Sequence, residues 1–90
     1  METFEEIKDE IENLVDEEKF FLIESQIKQN WNRNNRLALS LSMILLAVSE
    51  KLSKTSFILK SFICIGISHY KMSNFDEALT NYLNAYNLIT

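Results

Sequence analysis

Apolar residues recur at helical spacing along most of the chain, and this pattern predicts an all-α fold of about five helices packed as antiparallel hairpins. The sequence holds a single glycine and no proline, so it has few turn signals, and short connections are expected. We expect one domain over residues 1–90, with N-terminal helices in 1–31, a central helix in 32–55 and a helical hairpin in 56–90.

Two amphipathic stripes account for the N-terminal part of the chain. The first begins at Phe4, where Thr3 and Glu6 form a capping box. It contains Phe4, Ile7, Ile11 and Leu14. The second stripe contains Phe20, Ile23, Ile27 and Trp31. Because the first stripe loses phase near Asp16, the helix either breaks there or bends through it, and the pattern leaves both open.

Turn signals separate the three remaining helices. Asparagines are concentrated in residues 30–35, and because their side chains compete for backbone hydrogen bonds, they mark a turn. Residues 53–55 give a second short connection, and Asn74 with Glu77 forms an N-cap pair for the last helix. The predicted helices span about 36–52, 56–72 and 75–89.

The helix over residues 36–52 has the widest apolar stripe, so we expect it at the centre of the fold. Its inward positions are predicted to be Leu37, Leu41, Ile44, Leu45, Val48 and Leu52, with Met43 and Leu46 widening the stripe. Apolar residues make up 47% of the chain, which is enough for the core of one small domain.

The net charge is −4, and the charges are unevenly distributed along the chain. Residues 1–18 hold nine acidic residues and only Lys8 as a base, whereas residues 19–71 hold eight bases against Glu24 and Glu50. Two interpretations stay open: the acidic N-terminal helix packs against the basic middle, or both are solvated helix faces. Because the bases are dispersed, we expect no direct nucleic-acid binding by this segment.

Residues suited to catalysis or metal binding are sparse. Cys64, the single cysteine, lies in an apolar stretch and is predicted to be a buried hydrophobe in a reducing compartment. Cys64 and His69 are five residues apart on one predicted helix and point about 140° away from each other, so they do not form a nucleophile–base pair. His69 is better explained as a packed residue between helices. We therefore expect no enzyme activity, no metal site and no cofactor.

Two further patterns bear on localisation. The N-terminus has no basic segment followed by an apolar run, so it does not match a signal peptide. The most apolar stretch, residues 37–48, is too short to span a bilayer. We expect a cytoplasmic protein without a membrane segment.

The last third of the chain carries small and aromatic residues in a regular order. Gly66 falls in the middle of a predicted helix, where glycine costs about 1 kcal/mol relative to alanine, so it predicts close approach of the next helix, which contains Ala78. The wider series is Phe62, Ile65, Gly66, His69, Ala78, Tyr82, Ala85 and Thr90. Its spacing matches the tetratricopeptide repeat (TPR), with His69 at the usual tyrosine and Thr90 at the closing proline. An ordinary pair of amphipathic helices is the alternative.

Residues 57–89 resemble the TPR of Gram-positive quorum-sensing regulators that capture a short signalling peptide. The resemblance rests on residues 66–79, Gly-Ile-Ser-His-Tyr-Lys-Met-Ser-Asn-Phe-Asp-Glu-Ala-Leu, and extends weakly over another third of the chain. It implies a TPR scaffold that binds a protein or short peptide in a bacterial regulatory circuit. No DNA-binding helix-turn-helix segment is recognisable, so within that family the chain would be a fragment or a small stand-alone relative.

The TPR resemblance also implies a binding surface, because the first helix of each TPR hairpin lines a concave groove. The partner-binding residues that it implies are Lys60, Ile63, Ile67, Tyr70 and Lys71. Carboxylate-clamp TPRs have a lysine and an asparagine at the positions of Ile63 and Ile67, so the expected ligand is an extended or helical apolar peptide flanked by acids. The alternative is that Ile63 and Ile67 pack on the third helix.

The last helix offers a second candidate surface, predicted to serve self-association. It presents Phe75, Leu79, Tyr82, Leu83, Tyr86 and Ile89. The sequence ends at Thr90, directly after this helix, so we expect these residues to be exposed in a monomer and covered in a homo-oligomer. The competing functions are therefore recognition of a protein or peptide, and a self-assembling structural domain whose TPR face is used for dimerisation.

Overall fold

A computed structural model describes residues 3–12 and 16–90 of the chain. Within these residues there are five α-helices and no strand, which confirms the predicted all-α fold. Each helix packs antiparallel to the next one along the chain. The helices are α1 (Phe4–Glu12), α2 (Asp16–Asn30), α3 (Asn35–Leu52), α4 (Thr55–Lys71) and α5 (Phe75–Ile89).

Side-chain and backbone caps explain where the helices begin and end. Thr3 Oγ1 accepts a hydrogen bond from the Glu6 N–H at 3.2 Å, as the capping box predicts. Asn34 caps α3 in the same way, accepting from the Leu37 N–H at 3.1 Å. Ser53 ends α3 in the left-handed region, with φ of 54°, and its N–H bonds back to the helix.

One predicted cap is wrong. Asn74 does precede α5, but its side chain makes no capping hydrogen bond, so it does not form the expected N-cap pair with Glu77. Its amide nitrogen lies 3.4 Å from Nδ1 of His69 instead. The amide therefore ties the start of α5 to the end of α4. Residues 13–15, where the first stripe changes phase, and the side chains of Ile11 and Leu14 lie outside the described residues.

The core forms where α2, α3 and α4 meet, with Ile7 added from α1. As predicted, α3 is central, because it packs against both α2 and α4. One predicted inward position is wrong: Met43 is 60% exposed and faces solvent. The buried apolar residues of this cluster are Ile7, Phe20, Ile23, Ile27, Leu37, Ala38, Leu41, Leu45 and Cys64.

Four buried serines join α3 to α4, and their spacing was not used in the sequence analysis. Ser42 and Ser49 are seven residues apart on α3, as are Ser61 and Ser68 on α4. The Oγ atoms of Ser49 and Ser61 lie 2.7 Å apart, and those of Ser42 and Ser68 lie 3.3 Å apart. Each Oγ also lies 2.7–2.8 Å from a carbonyl oxygen of its own helix. Because a hydroxyl has one proton, one serine in each pair can donate to its carbonyl while the other donates to its partner. Small side chains with satisfied hydroxyls let the two helices approach closely without a buried polar penalty.

Small residues also form the contact between α4 and α5, as the mid-helix position of Gly66 in the sequence predicts. A Cβ atom added to Gly66 would lie 2.5 Å from Cε1 of Tyr82, so the ring of Tyr82 occupies the space that a side chain would need. Ala78 and Ala85 are buried on the same helix. The predicted close approach is confirmed, and Tyr82 is the residue that fills it.

The acidic and basic parts of the chain meet at one point of the described structure. Asp16 lies 3.6 Å from the amine of Lys51, and Glu17 forms an ion pair with Lys54. Both acidic residues lie in the first turn of α2. Exposed pairs of this kind contribute only up to about 1 kcal/mol, so they orient the helices more than they stabilise them.

Candidate functional site

A groove separates α2 from α4, and we call it the α2–α4 groove. The two helices run in the same direction because each is antiparallel to α3. They touch near both ends: Phe20 stacks on Phe57 with ring centroids 4.1 Å apart, and the Trp31 indole N–H donates to Ser68 Oγ at 3.2 Å. Between these contacts the groove encloses about 320 Å³. Its lining residues are Glu24, Lys28, Trp31, Lys60, Ile63, Cys64 and Ile67.

Three of the predicted partner-binding residues lie in this groove, namely Lys60, Ile63 and Ile67. Ile63 is 38% exposed, so it is available to a ligand and is not a core residue. Opposite them, Lys28 lies 4.0 Å from Glu24 across one turn of α2. The groove thus combines an apolar wall with two lysines and one carboxylate, the composition of a site for a mixed apolar and acidic ligand.

Cys64 lines the groove without being suited to chemistry there. Its side chain is buried, as the sequence predicted. Burial, followed by the nearby charge of Glu24, raises the pKa of the Cys64 thiol to about 11. Because the thiol form then dominates at neutral pH, Cys64 is not an activated nucleophile.

The other two predicted residues lie outside the groove. Tyr70 faces the α5 side, where its exposed ring packs edge-on against Phe75 with centroids 5.4 Å apart. Lys71 lies at the α2–α3 turn, where its amine donates to Asn32 Oδ1 at 3.0 Å. The Lys71 carbonyl accepts from the Asn35 amide at 3.4 Å. The five residues therefore divide among three neighbouring surfaces.

A second cavity lies at the α2–α3 turn, and we call it the turn cavity. It encloses about 480 Å³ and is lined by Trp31, Asn32, Arg33, Asn34, Asn35, Arg36 and Lys71. Trp31 lines both this cavity and the α2–α4 groove, so the two are adjacent. Sequence reasoning treated residues 30–35 as a turn only. Two arginines, Arg33 and Arg36, lie among these asparagines, and this is the feature of the sequence that indicates a polar site.

The residues predicted for self-association lie along the exposed part of α5, and with Tyr70 they make up what we call the α5 stripe. These residues are Phe75, Leu79, Tyr82, Leu83, Tyr86 and Ile89, with exposures from 37% to 65%. Tyr82 lies at the edge of the stripe, where its ring also packs against α4 at Gly66. Ala78 and Ala85 occupy the side of α5 that faces the core. Burial, followed by the neighbouring Tyr70, raises the pKa of Tyr82. The stripe is therefore a large apolar surface left uncovered by the described residues.

Among the residues whose side chains the structure describes, 3–8 and 16–90, no group of three or more His, Cys, Asp or Glu side chains is placed to hold a metal ion. No helix in residues 3–12 and 16–90 has the length and hydrophobicity needed to cross a membrane. No family model matches the chain, and neither does any curated protein or solved structure.

Proposed function

We propose that this protein is a TPR-like interaction module that binds a protein or short peptide in the α2–α4 groove. The observation that carries the proposal is the groove itself, in which Lys60, Ile63 and Ile67 meet Lys28 and Trp31 across a gap between two parallel helices. First helices of successive hairpins would line a TPR groove in this way. Burial holds the Cys64 thiol neutral, so the groove supports binding better than thiol chemistry.

From the TPR resemblance we infer that this binding serves a cytoplasmic bacterial regulatory circuit, similar to that of the quorum-sensing peptide receptors. The contact between Gly66 and Tyr82 supports the repeat, because both residues occupy TPR positions and pack as a TPR hairpin requires. The free Cys64 is in keeping with a reducing compartment. The helical fold and the α2–α4 groove are sufficient for a role in peptide or protein binding.

A double charge substitution in the groove tests the proposal. Lys60→Glu combined with Ile63→Glu is expected to weaken binding of peptides selected from a random displayed library at least tenfold, because it removes apolar contact and reverses a charge. Fluorescence anisotropy would measure the affinity. Both side chains are exposed, so the melting temperature is expected to change little.

Lys8→Glu combined with Met43→Glu provides the control, since it makes the same chemical changes at exposed positions that do not line the groove. This variant is expected to bind the peptides like the parent protein. If the wild-type protein selects no peptide, or if both variants bind equally well, the groove is not the binding site.

A second candidate function is self-assembly through the α5 stripe. A standard interface buries roughly 800 Å² per partner, and the large side chains of the stripe, which are a third to two thirds exposed, offer an area of that order. A stripe along one helix can pair with its own copy around a two-fold axis, so no second kind of surface is required. In this case the protein would be a homodimer at micromolar concentration.

Leu83→Glu combined with Tyr86→Glu is expected to convert such a dimer to a monomer, because two carboxylates would be buried in an apolar contact. Sedimentation equilibrium would report the mass, and Met43→Glu alone would be the control. Tyr82 is left unchanged because it packs on Gly66. A wild-type protein that is monomeric at high micromolar concentration and melts cooperatively would contradict this second function.

A further inference from the structure

The turn cavity is lined by basic residues and, within the described structure, by no acidic ones. The basic residues are Arg33, Arg36 and Lys71. The nearest acidic residues along the chain after Lys71 are Asp76 and Glu77, which lie in the first turn of α5 and are not among the lining residues. Three cations thus line one cavity in a chain whose net charge is −4.

The asparagines of the cavity add donors to these cations. Asn32 Oδ1 is occupied by the Lys71 amine at 3.0 Å, and Asn34 Oδ1 by the Leu37 N–H at 3.1 Å. Each amide oxygen thus has one of its two lone pairs engaged, and the NH₂ group of each amide can donate to a ligand beside the cations. Arginine, lysine and amide NH₂ groups together form a lining rich in donors, which complements a carboxylate.

The turn cavity also continues the α2–α4 groove. Trp31 lies between them, and the hydrogen bond from its indole N–H to Ser68 fixes the ring in place. Along α4, Lys60 at one end and Lys71 at the other are about 16 Å apart at 1.5 Å per residue. An extended peptide covers this length with about five residues. One short peptide can therefore occupy both sites at once.

We propose that the turn cavity binds the acidic side chains at one end of the peptide whose apolar residues fill the α2–α4 groove. The partner is then an extended peptide with an apolar segment followed or preceded by aspartate or glutamate. This inference rests on the proposed peptide-binding function. Arg33 and Arg36 fix the direction of the peptide, since only one end of the groove carries them.

The test compares peptides selected from a random displayed library by the wild-type protein and by the Arg33→Gln/Arg36→Gln variant. The wild-type protein is expected to enrich peptides with acidic residues at one end of an apolar segment. The variant is expected to keep the apolar preference and lose the acidic one. Amidated synthetic copies of the wild-type peptides should bind the variant at least tenfold more weakly, and their affinity for the wild type should fall as salt is raised.

The control is Lys8→Gln/Lys51→Gln, which removes two exposed cations elsewhere and should leave selection unchanged. Apolar peptides selected without acidic enrichment would overturn this inference while leaving the groove function in place. Failure to select any peptide would overturn both. The inference is also overturned if amidation alone abolishes binding, or if a short single-stranded oligonucleotide binds at physiological salt and loses affinity in the Arg33→Gln/Arg36→Gln variant.

Discussion

Replacing Gly66 with leucine is expected to destabilise the protein by about 1–3 kcal/mol, because overpacking forces neighbouring groups apart. Even a single carbon at this position would lie 2.5 Å from Cε1 and 2.7 Å from Cδ1 of Tyr82. The Tyr82 ring would have to leave the α4–α5 contact. Removing a glycine from a helix interior returns about 1 kcal/mol, so the net loss is smaller than the strain itself. Urea unfolding would measure the difference in free energy.

Two further variants separate the steric effect from helix propensity. With Tyr82→Ala already in place, Gly66→Ala is expected to stabilise the protein by up to about 1 kcal/mol, since the clash is gone and the propensity gain remains. Ala78→Leu should destabilise in the same direction as Gly66→Leu, because Ala78 is buried between α4 and α5. If Gly66→Leu and Ala78→Leu both unfold like the parent protein, the small residues are not needed for the close contact of these helices.

The helix boundaries were predictable because they depend on local chemistry. The last three predicted helices agree with the structure to within one residue at each end. Asparagine and serine mark the ends through hydrogen bonds to nearby backbone groups, as Asn34 and Ser53 illustrate. The information needed lies within a few residues of each boundary, so a single sequence contains it.

The packing partners were less predictable because they depend on which helices become neighbours. Met43 looked like part of the inward stripe, yet it is exposed because the α2 and α4 contacts fall on the other sides of α3. The apolar pattern gave no indication that the serines at 42, 49, 61 and 68 are buried, yet all four are. Their seven-residue spacing becomes meaningful only when two helices carry it in facing positions.

Only part of the candidate site was predictable, because its makeup also depends on which helices become neighbours. Lys60, Ile63 and Ile67 line one groove because helical periodicity puts them on one face of α4. Lys71 lies on the same face, but α2 ends at Asn30, so at that level the neighbour is the turn and not a helix. The ring of Tyr70 packs against Phe75, the first residue of α5, so Tyr70 belongs to the surface on the α5 side. Whether a residue of α4 lines the groove therefore depends on where the neighbouring helices begin and end. The apolar pattern within α4 does not contain this information.

The largest loss of stability is expected from Phe20→Ala, at about 3–5 kcal/mol. Phe20 is fully buried, and its ring stacks on Phe57 at an interplanar angle of 14°. Removing it would leave a cavity at the junction of α2 and α4 and would withdraw the contact that closes one end of the groove. Domains of this size are stable by only about 5–15 kcal/mol, so much of the folding free energy would be lost.

Phe21→Ala is the matched control, because the neighbouring ring is the same residue type but is 53% exposed. Its edge-on contacts with Phe20 and Phe57 are peripheral, so its loss is expected to cost about 1 kcal/mol or less. Phe20→Leu should fall between the two, and it keeps the protein folded enough to measure if Phe20→Ala does not. Urea midpoints at an unchanged slope would rank the three variants. Equal midpoints for Phe20→Ala and Phe21→Ala would mean that the stack on Phe57 does not hold α2 against α4.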